Sequence, residues 1–273
     1  MTDQLAPSEV DTADFVRYAV DGTVATITFD KPERGNAMDQ AMQVRYGELL
    51  GKASADPGIR AVVVTGAGRS FCPGADLGLL EGISAGGAAA PEHEGFRDVL
   101  AAAYAEVPVV AAINGGCAGL GFVIACAADV RFAAEGAKFT TAFARRGLIA
   151  EYGVAKLLPE LVGRGRALDL LLSGRTFTAE QAHEYGLVQE IVPAEELPAR
   201  AKAYATELAT YSAPRSMALM KRQVLREAGL SLEDSAREAT ALMLESFGRP
   251  ELPEGLASWH DRRAPDFPPY QGV

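Results

Sequence analysis

Two glycine-rich turns hold residues whose types and spacing could do chemistry. The first reads Ser70-Phe71-Cys72-Pro73-Gly74-Ala75-Asp76-Leu77, the second Asn114-Gly115-Gly116-Cys117-Ala118-Gly119-Leu120-Gly121. Each follows a β-branched, apolar run. Small residues let a ligand approach the main chain closely, and N–H groups left unpaired in such turns bind an anion. The second turn also opens a short apolar helix whose positive end would point at the same spot. The spacing supports two readings: an oxyanion hole donating from Ala75 and Leu120, or glycine that merely permits tight packing. A third candidate is Glu151, in Gly147-Leu148-Ile149-Ala150-Glu151-Tyr152-Gly153. Apolar neighbours could desolvate its carboxyl group and raise its pKa toward that of a working base. Alternatively it is an acid favoured in the first turn of a helix, worth ~0.3–1 kcal/mol.

Other motifs carry less. Gly82-Ile83-Ser84-Ala85-Gly86 has the G-x-S-x-G spacing of a nucleophile elbow, but that elbow needs a buried strand before it and a helix after it. Here residues 76–81 are not a β-branched strand, and an Ala-rich stretch follows. Neither Gly66-x-Gly68 nor Gly119-x-Gly121 completes a dinucleotide fingerprint. The three histidines (93, 183, 260) are far apart without metal-ligand spacing, so no metal site is expected. Cys72 and Cys117 border the proposed hole, where packing explains them better than nucleophilic catalysis.

These residues must be positioned by the surrounding elements. Residues 24–29 (VATITF), 60–65 (RAVVVT) and 107–113 read as strands, with further pieces at 130–133 and 139–141. Residues 38–50 have helical spacing, with Asn36 as a nearby cap. Residues 120–128 and 154–161 are expected to be helices. Strand, short turn and helix repeat, which implies an α/β fold with buried strands. Residues 82–91 (GISAGGAAAP) read as a mobile surface loop. Beyond Pro193 the chain becomes helical and charged at 195–209, 214–228 and 232–246, a helical appendage on the core. The tail 259–267 (WHDRRAPDF) is basic and aromatic, and its Trp259 is expected to pack the terminal helices.

Composition bounds the rest. The chain has 273 residues, 48% hydrophobic, with 36 acids against 26 bases and a formal charge of −10. That balance argues against a broad nucleic-acid or anionic-membrane surface, so any phosphate must be held by a local cluster. Three cysteines in small or apolar surroundings suit reduced cytosolic thiols, hence a cytoplasmic protein. Residues 1–15 carry four acids and no base, the wrong sign for a targeting peptide. Residues 109–128 are uncharged and long enough to span a bilayer, but Asn114 and four glycines make a continuous spanning helix a poor reading.

Over nearly its whole length the sequence resembles the enoyl-CoA hydratase/isomerase (crotonase) superfamily. The stretches that carry the resemblance are VATITFDKPERGNAM, RAVVVTGAGRSFCPGADL, PVVAAINGGCAGLGFVIACAADVRFA, KFTTAFARRGLIAEYG, LLLSGRTFTAEQAHEYGLVQEIV and the WHDRRAPDF tail. The resemblance implies a spiral of ββα units over residues 1–195, holding the acyl-CoA site. It implies a C-terminal helical region over 196–273 that builds a homotrimer or a dimer of trimers. It implies an acyl-CoA thioester as partner, with coenzyme A part of the substrate and no separate cofactor, and a place in fatty-acid metabolism. By motif position the oxyanion donors would be Ala75 and Leu120. Arg34, Ala37, Gly74, Asp76, Leu77, Gly119, Val123 and Phe143 would line the substrate, with Ala75 to Leu77 along the pantetheine.

The family's hydratases use two glutamates, and the corresponding residues here are Val123 and Phe143, neither of which can move a proton. Syn-hydration needs one group to activate water and another to deliver a proton. Glu151 stands where Δ3,Δ2-enoyl-CoA isomerases of the peroxisomal type place a catalytic glutamate. At that position ring-opening epoxide and dienoyl-CoA isomerases place an aspartate, and a dehalogenase relative its nucleophile. One carboxylate suffices for an allylic shift. The resemblance therefore implies an enoyl-CoA isomerase with Glu151 as acid and base. The alternatives are hydration with Glu151 alone and a non-catalytic acyl-CoA binder. Arg34, Arg145, Arg146, Arg262 and Arg263 are candidates for the CoA phosphates, which suit arginine forks.

Overall fold

A computed structural model describes residues 9–11, 15–86, 95–227, 229–270 and 272. The strands are β1 (Glu9–Asp11), β2 (Val16–Asp21), β3 (Val24–Phe29), β4 (Ala61–Gly66), β5 (Ser70–Cys72), β6 (Val109–Ile113), β7 (Gly116–Ala118), β8 (Val130–Ala134), β9 (Lys138–Thr140), β10 (Phe177–Thr178) and β11 (Glu190–Val192). The helices are α1 (Gln40–Ala55), α2 (Leu77–Ser84), α3 (Phe96–Val99), α4 (Ala101–Tyr104), α5 (Leu120–Ala127), α6 (Val154–Val162), α7 (Arg164–Ser173), α8 (Ala179–Glu184), α9 (Leu197–Tyr211), α10 (Pro214–Glu227), α11 (Leu232–Phe247) and α12 (Glu251–Asp261).

Two sheets organise the core. In the larger, of order β1-β2-β3-β4-β6-β8-β11, the first two pairings are antiparallel and the rest parallel. The smaller has the order β10-β9-β7-β5. Each of β4, β6 and β8 in the larger sheet is followed at once by a strand of the smaller, β5, β7 and β9, and next by helical chain. The mixed α/β architecture of repeating strand–strand–helix units is the one expected.

Alternation explains why the centre of the large sheet, β4 and β6, is buried on both faces. Val62 and Val64 of β4, with Val109, Ala111 and Ile113 of β6, point into the main core. Their neighbours Ala61, Val63, Val110 and Ala112 point the other way, onto α9. That helix meets them with Leu197, Ala201, Ala205 and Ala209, a four-residue repeat of mostly small side chains that lets it lie close to the sheet. α5 is buried at every position. Its C-terminal end is held by Arg131, whose guanidinium donates to the carbonyls of Ala125, Ala128, Asp129 and Leu187. A cation there complements the negative end of the helix.

Several sequence expectations change. Asp39, not Asn36, caps the first helix by accepting from Met42 N–H at 2.9 Å, so α1 begins at Gln40 rather than at residue 38. Asn36 is instead fully buried with φ +68, and its amide donates to the carbonyls of Ala67 and Ser70. It stitches the β3–α1 loop to the entry of β5. Residues 82–84 continue α2, so only 85–91 can form the expected loop, and 87–91 lie outside the described residues. Because Ser84 ends a helix, no strand–turn–helix elbow forms around it. The tail contributes a helix, α12, and Trp259 on it is 83% exposed rather than packed. Among the described residues no helix is long and apolar enough to cross a membrane.

Candidate active site

The two glycine turns meet. A Cβ built on Gly74 would lie 3.6 Å from the main-chain nitrogen of Leu120 and 3.3 Å from the carbonyl oxygen of Ala118. Gly74 has φ +114, a conformation L side chains rarely adopt, so glycine is needed there twice over. Gly121 is needed for another reason. A Cβ on it would come within 2.2 Å of the Cys72 carbonyl, so its missing side chain is what allows α5 to lie against β5.

Among the described residues the hydrogen-bond pattern leaves the N–H groups of Ala75 and Leu120, one on each turn, without an acceptor. Met38 pairs with the first turn as an isolated parallel bridge: its N–H donates to Gly74 and its carbonyl accepts from Asp76, both at 2.9 Å. Gly74 and Asp76 thus spend their inward groups on Met38. Ala75, between them, turns its own N–H the opposite way, and it has no acceptor among the described residues. On the second turn Leu120 is the first residue of α5. The first bond of the helix runs from Val123 N–H to the Gly119 carbonyl at 3.0 Å, so the N–H of Leu120 has no intrahelical carbonyl. It too lacks an acceptor among the described residues. Asp76 accepts from Gly78 N–H at 2.9 Å and so helps to start α2 at Leu77.

Behind the turns, Cys72 and Cys117 are register partners on β5 and β7, both buried. Burial pushes the Cys72 thiol up to about 12 and Cys117 well above its ordinary value. Neither is a thiolate at neutral pH, which suits packing rather than nucleophilic attack. Val123, one turn into α5, and Phe143, after β9, are buried apolar side chains.

Glu151 lies outside any helix, three residues before α6 starts, so a first-turn dipole role does not describe it. Its carbonyl accepts from Val154 N–H at 3.0 Å. Two left-handed residues follow, Tyr152 (φ +48) and Gly153 (φ +74). Holding a tyrosine in that region costs ~1–3 kcal/mol and persists only where the surroundings dictate it. The Glu151 carboxyl is half-buried, and burial raises its pKa. Among the described residues it has no hydrogen-bond or ion-pair partner. A raised, unpaired carboxyl group is suited to exchanging protons.

The strand that leads toward the Glu151 segment, β9, is tied to the second turn, since Gly119 N–H donates to the Thr140 carbonyl at 3.2 Å. Phe143 holds the loop's course by accepting from Arg146 N–H (2.9 Å) and Leu148 N–H (3.0 Å). Of the candidate arginines, Arg145 donates to the Ser173 carbonyl (2.9 Å). Arg263 is locked to Glu254 through two contacts of 2.6 and 3.0 Å. Arg34 is exposed beside the half-buried Ala37. Arg262 ends α12 in the left-handed region.

Sequence spacing did not indicate a cavity of about 560 Å³ that adjoins the Glu151 segment. Tyr152, Gly153, Leu100, Tyr104 and Leu225 are among the residues that line it. They come from three distant stretches of chain, and only folding brings them together.

Comparison with known proteins agrees with this architecture. The family described as "Enoyl-CoA hydratase/isomerase" matches residues 19–269. The "1,2-epoxyphenylacetyl-CoA isomerase" of Escherichia coli (strain K12) is 34% identical over 261 residues, 93% of this chain and 98% of the other. A "Probable enoyl-CoA hydratase" of Rhodobacter capsulatus is 36% identical over 257 residues, 92% of this chain and 97% of the other. Among solved structures, a "probable enoyl-CoA hydratase/isomerase from Mycobacterium abscessus" superposes with a TM-score of 0.88 at 30% identity, covering 96% of this chain and 100% of that one.

Proposed function

The chain belongs to the enoyl-CoA hydratase/isomerase family, and from that premise we propose that it moves a double bond within an enoyl-CoA. The thioester oxygen accepts from the N–H groups of Ala75 and Leu120. With the developing oxyanion held there, the proton on C2 becomes acidic enough for Glu151 to remove. The electron pair left on C2 delocalises into the thioester and the C3–C4 double bond, giving a dienolate. Glu151, now protonated, returns the proton at C4, and the oxyanion collapses to leave a C2–C3 double bond. Each oxyanion donor is expected to contribute ~3–4 kcal/mol to the barrier reduction.

The observation that carries this reading is Glu151 itself: a half-buried carboxyl of raised pKa, free of partners among the described residues. Val123 and Phe143, at the positions of the family hydratases' two glutamates, offer no second group to activate water. The name of the E. coli relative, an isomerase, supports the same class of reaction. Hydration is the competing reading, favoured by the name of the R. capsulatus relative.

Supplying a 3-enoyl-CoA and crotonyl-CoA separately tests the choice. Isomerisation converts the first and leaves the second unhydrated. Hydration of crotonyl-CoA at a comparable rate would overturn the isomerase assignment. Binding of both thioesters without conversion of either would favour a non-catalytic binder.

The proposal extends to assembly. Met220, Val224, Leu232, Leu244, Phe247 and Trp259 on α10–α12 are exposed in the single chain. An apolar surface of this kind supports a homotrimer, or a dimer of trimers, built through residues 196–273. Light scattering of the purified protein measures the state directly.

A further inference from the structure

Arg146 stands apart from the other cations near the site. Its Nη1 lies 4.0 Å from the position a Cβ on Gly119 would take, over the turn that leads into Leu120. The side chain is exposed, and among the described residues its guanidinium has no hydrogen bond and no ion pair. Its backbone is fixed: the N–H donates to Phe143, and Gly147 closes the turn in the left-handed region. The adjacent Arg145 points away and is consumed by Ser173. In a chain of net charge −10, an unpaired guanidinium beside the candidate hole is available to an anionic partner from outside the chain.

We infer that Arg146 recognises a carboxylate on the acyl part of the thioester, so that the enzyme prefers acyl-CoA substrates whose acyl chain carries an acid group. This inference rests on Ala75 and Leu120 holding the thioester oxygen. If they do, a guanidinium beside Gly119 stands near the thioester, where a group on the acyl chain can reach it. The diphosphate of coenzyme A lies a whole pantetheine arm away, which makes a phosphate contact the poorer fit. A carboxylate suits the planar fork of arginine, which offers two parallel N–H donors. Binding of the acyl group would also shield the pair from water and salt, strengthening an interaction that is weak on an open surface.

Calorimetry on the full chain separates this inference from the isomerase reading, because it needs no turnover. Adipoyl-CoA, hexanoyl-CoA and free coenzyme A are titrated into the wild type, Arg146→Gln and Arg146→Lys. The wild type should bind adipoyl-CoA more tightly than hexanoyl-CoA. Arg146→Gln should lose on the order of 10- to 100-fold for adipoyl-CoA and much less for hexanoyl-CoA. Arg146→Lys, a point charge without the fork, should recover part of the preference, and raising the salt should narrow it. Equal losses for all three ligands would place Arg146 at the phosphates and overturn the inference. So would equal losses for the two thioesters with free coenzyme A unchanged, or a wild type without preference. Arg146 is exposed, so the variants are expected to fold, and circular dichroism verifies it. A failure of the isomerase reading shows separately, as no conversion of a neutral 3-enoyl-CoA by the wild type.

Discussion

Gly74 and Leu120, 46 positions apart in the chain, approach so closely that a methyl group on the first would sit 3.6 Å from the main-chain nitrogen of the second. The contact exists because β5 and β7 pair in parallel and each ends in a glycine turn. Two N–H groups without an acceptor among the described residues, on Ala75 and Leu120, are thereby held in one neighbourhood.

Gly74→Ala tests that neighbourhood. The new methyl group would press on the Ala118 carbonyl at 3.3 Å and force an alanine to hold φ +114. Activity toward a 3-enoyl-CoA should fall roughly 100-fold, as when an oxyanion donor is displaced. Gly136→Ala is the control, since Gly136 also has positive φ (+77) but faces open space. It should cost about 1 kcal/mol of stability in urea unfolding and leave turnover near that of the wild type.

The pH profile tests Glu151. Burial disfavours the charged carboxylate, so its pKa lies above the ordinary 4.5. The base form is deprotonated, so kcat/KM should decline as the pH is lowered through that raised value. The acid limb should therefore lie at higher pH than an exposed glutamate would give, and Glu151→Gln should lack it. A limb at an unperturbed glutamate value would contradict the desolvated carboxyl.

A third prediction concerns how the C-terminal helices are held. The Lys221 ammonium on α10 donates to Asp129 (2.7 Å), to the Ala102 carbonyl (2.7 Å) and to the Val107 carbonyl (3.2 Å). Arg222 pairs with Glu106 beside it at 2.7 Å. Burial lowers the Lys221 pKa and raises that of Asp129. Lys221→Met strands the carboxylate and should destabilise the protein by about 2–4 kcal/mol in urea unfolding at neutral pH. The deficit should shrink on acidification, because the stranded Asp129, its pKa already raised, takes up a proton and sheds its charge. A deficit independent of pH would mean that lost packing, not the unpaired charge, sets the cost.

The parts of this arrangement that could be read from the sequence are those where local signals agree with the tertiary result. The runs VATITF and AVVV are strands because β-branched residues suit a sheet covered on both faces. The wholly apolar α5 between glycine and Asp129 was likewise legible. The cap of α1 was not, since Asn36 and Asp39 are both good capping residues and only the fold buries the first. Trp259 was misread because a lone tryptophan usually packs, whereas here it lies on the outward side of α12. Arg146 was legible only as one of five similar arginines. Its place over Gly119 depends on a turn closed by Phe143, which no local pattern reveals.

The central claim is that the Glu151 carboxyl exchanges a proton with C2 of a bound thioester while Ala75 and Leu120 hold its oxygen. Its most direct test is NMR of a 3-enoyl-CoA incubated with enzyme in deuterated water. The wild type is predicted to wash deuterium into C2 and C4 as the double bond moves. Glu151→Gln should bind the thioester normally and lose exchange by orders of magnitude. Undiminished exchange in that variant, or none in the wild type, would contradict the account.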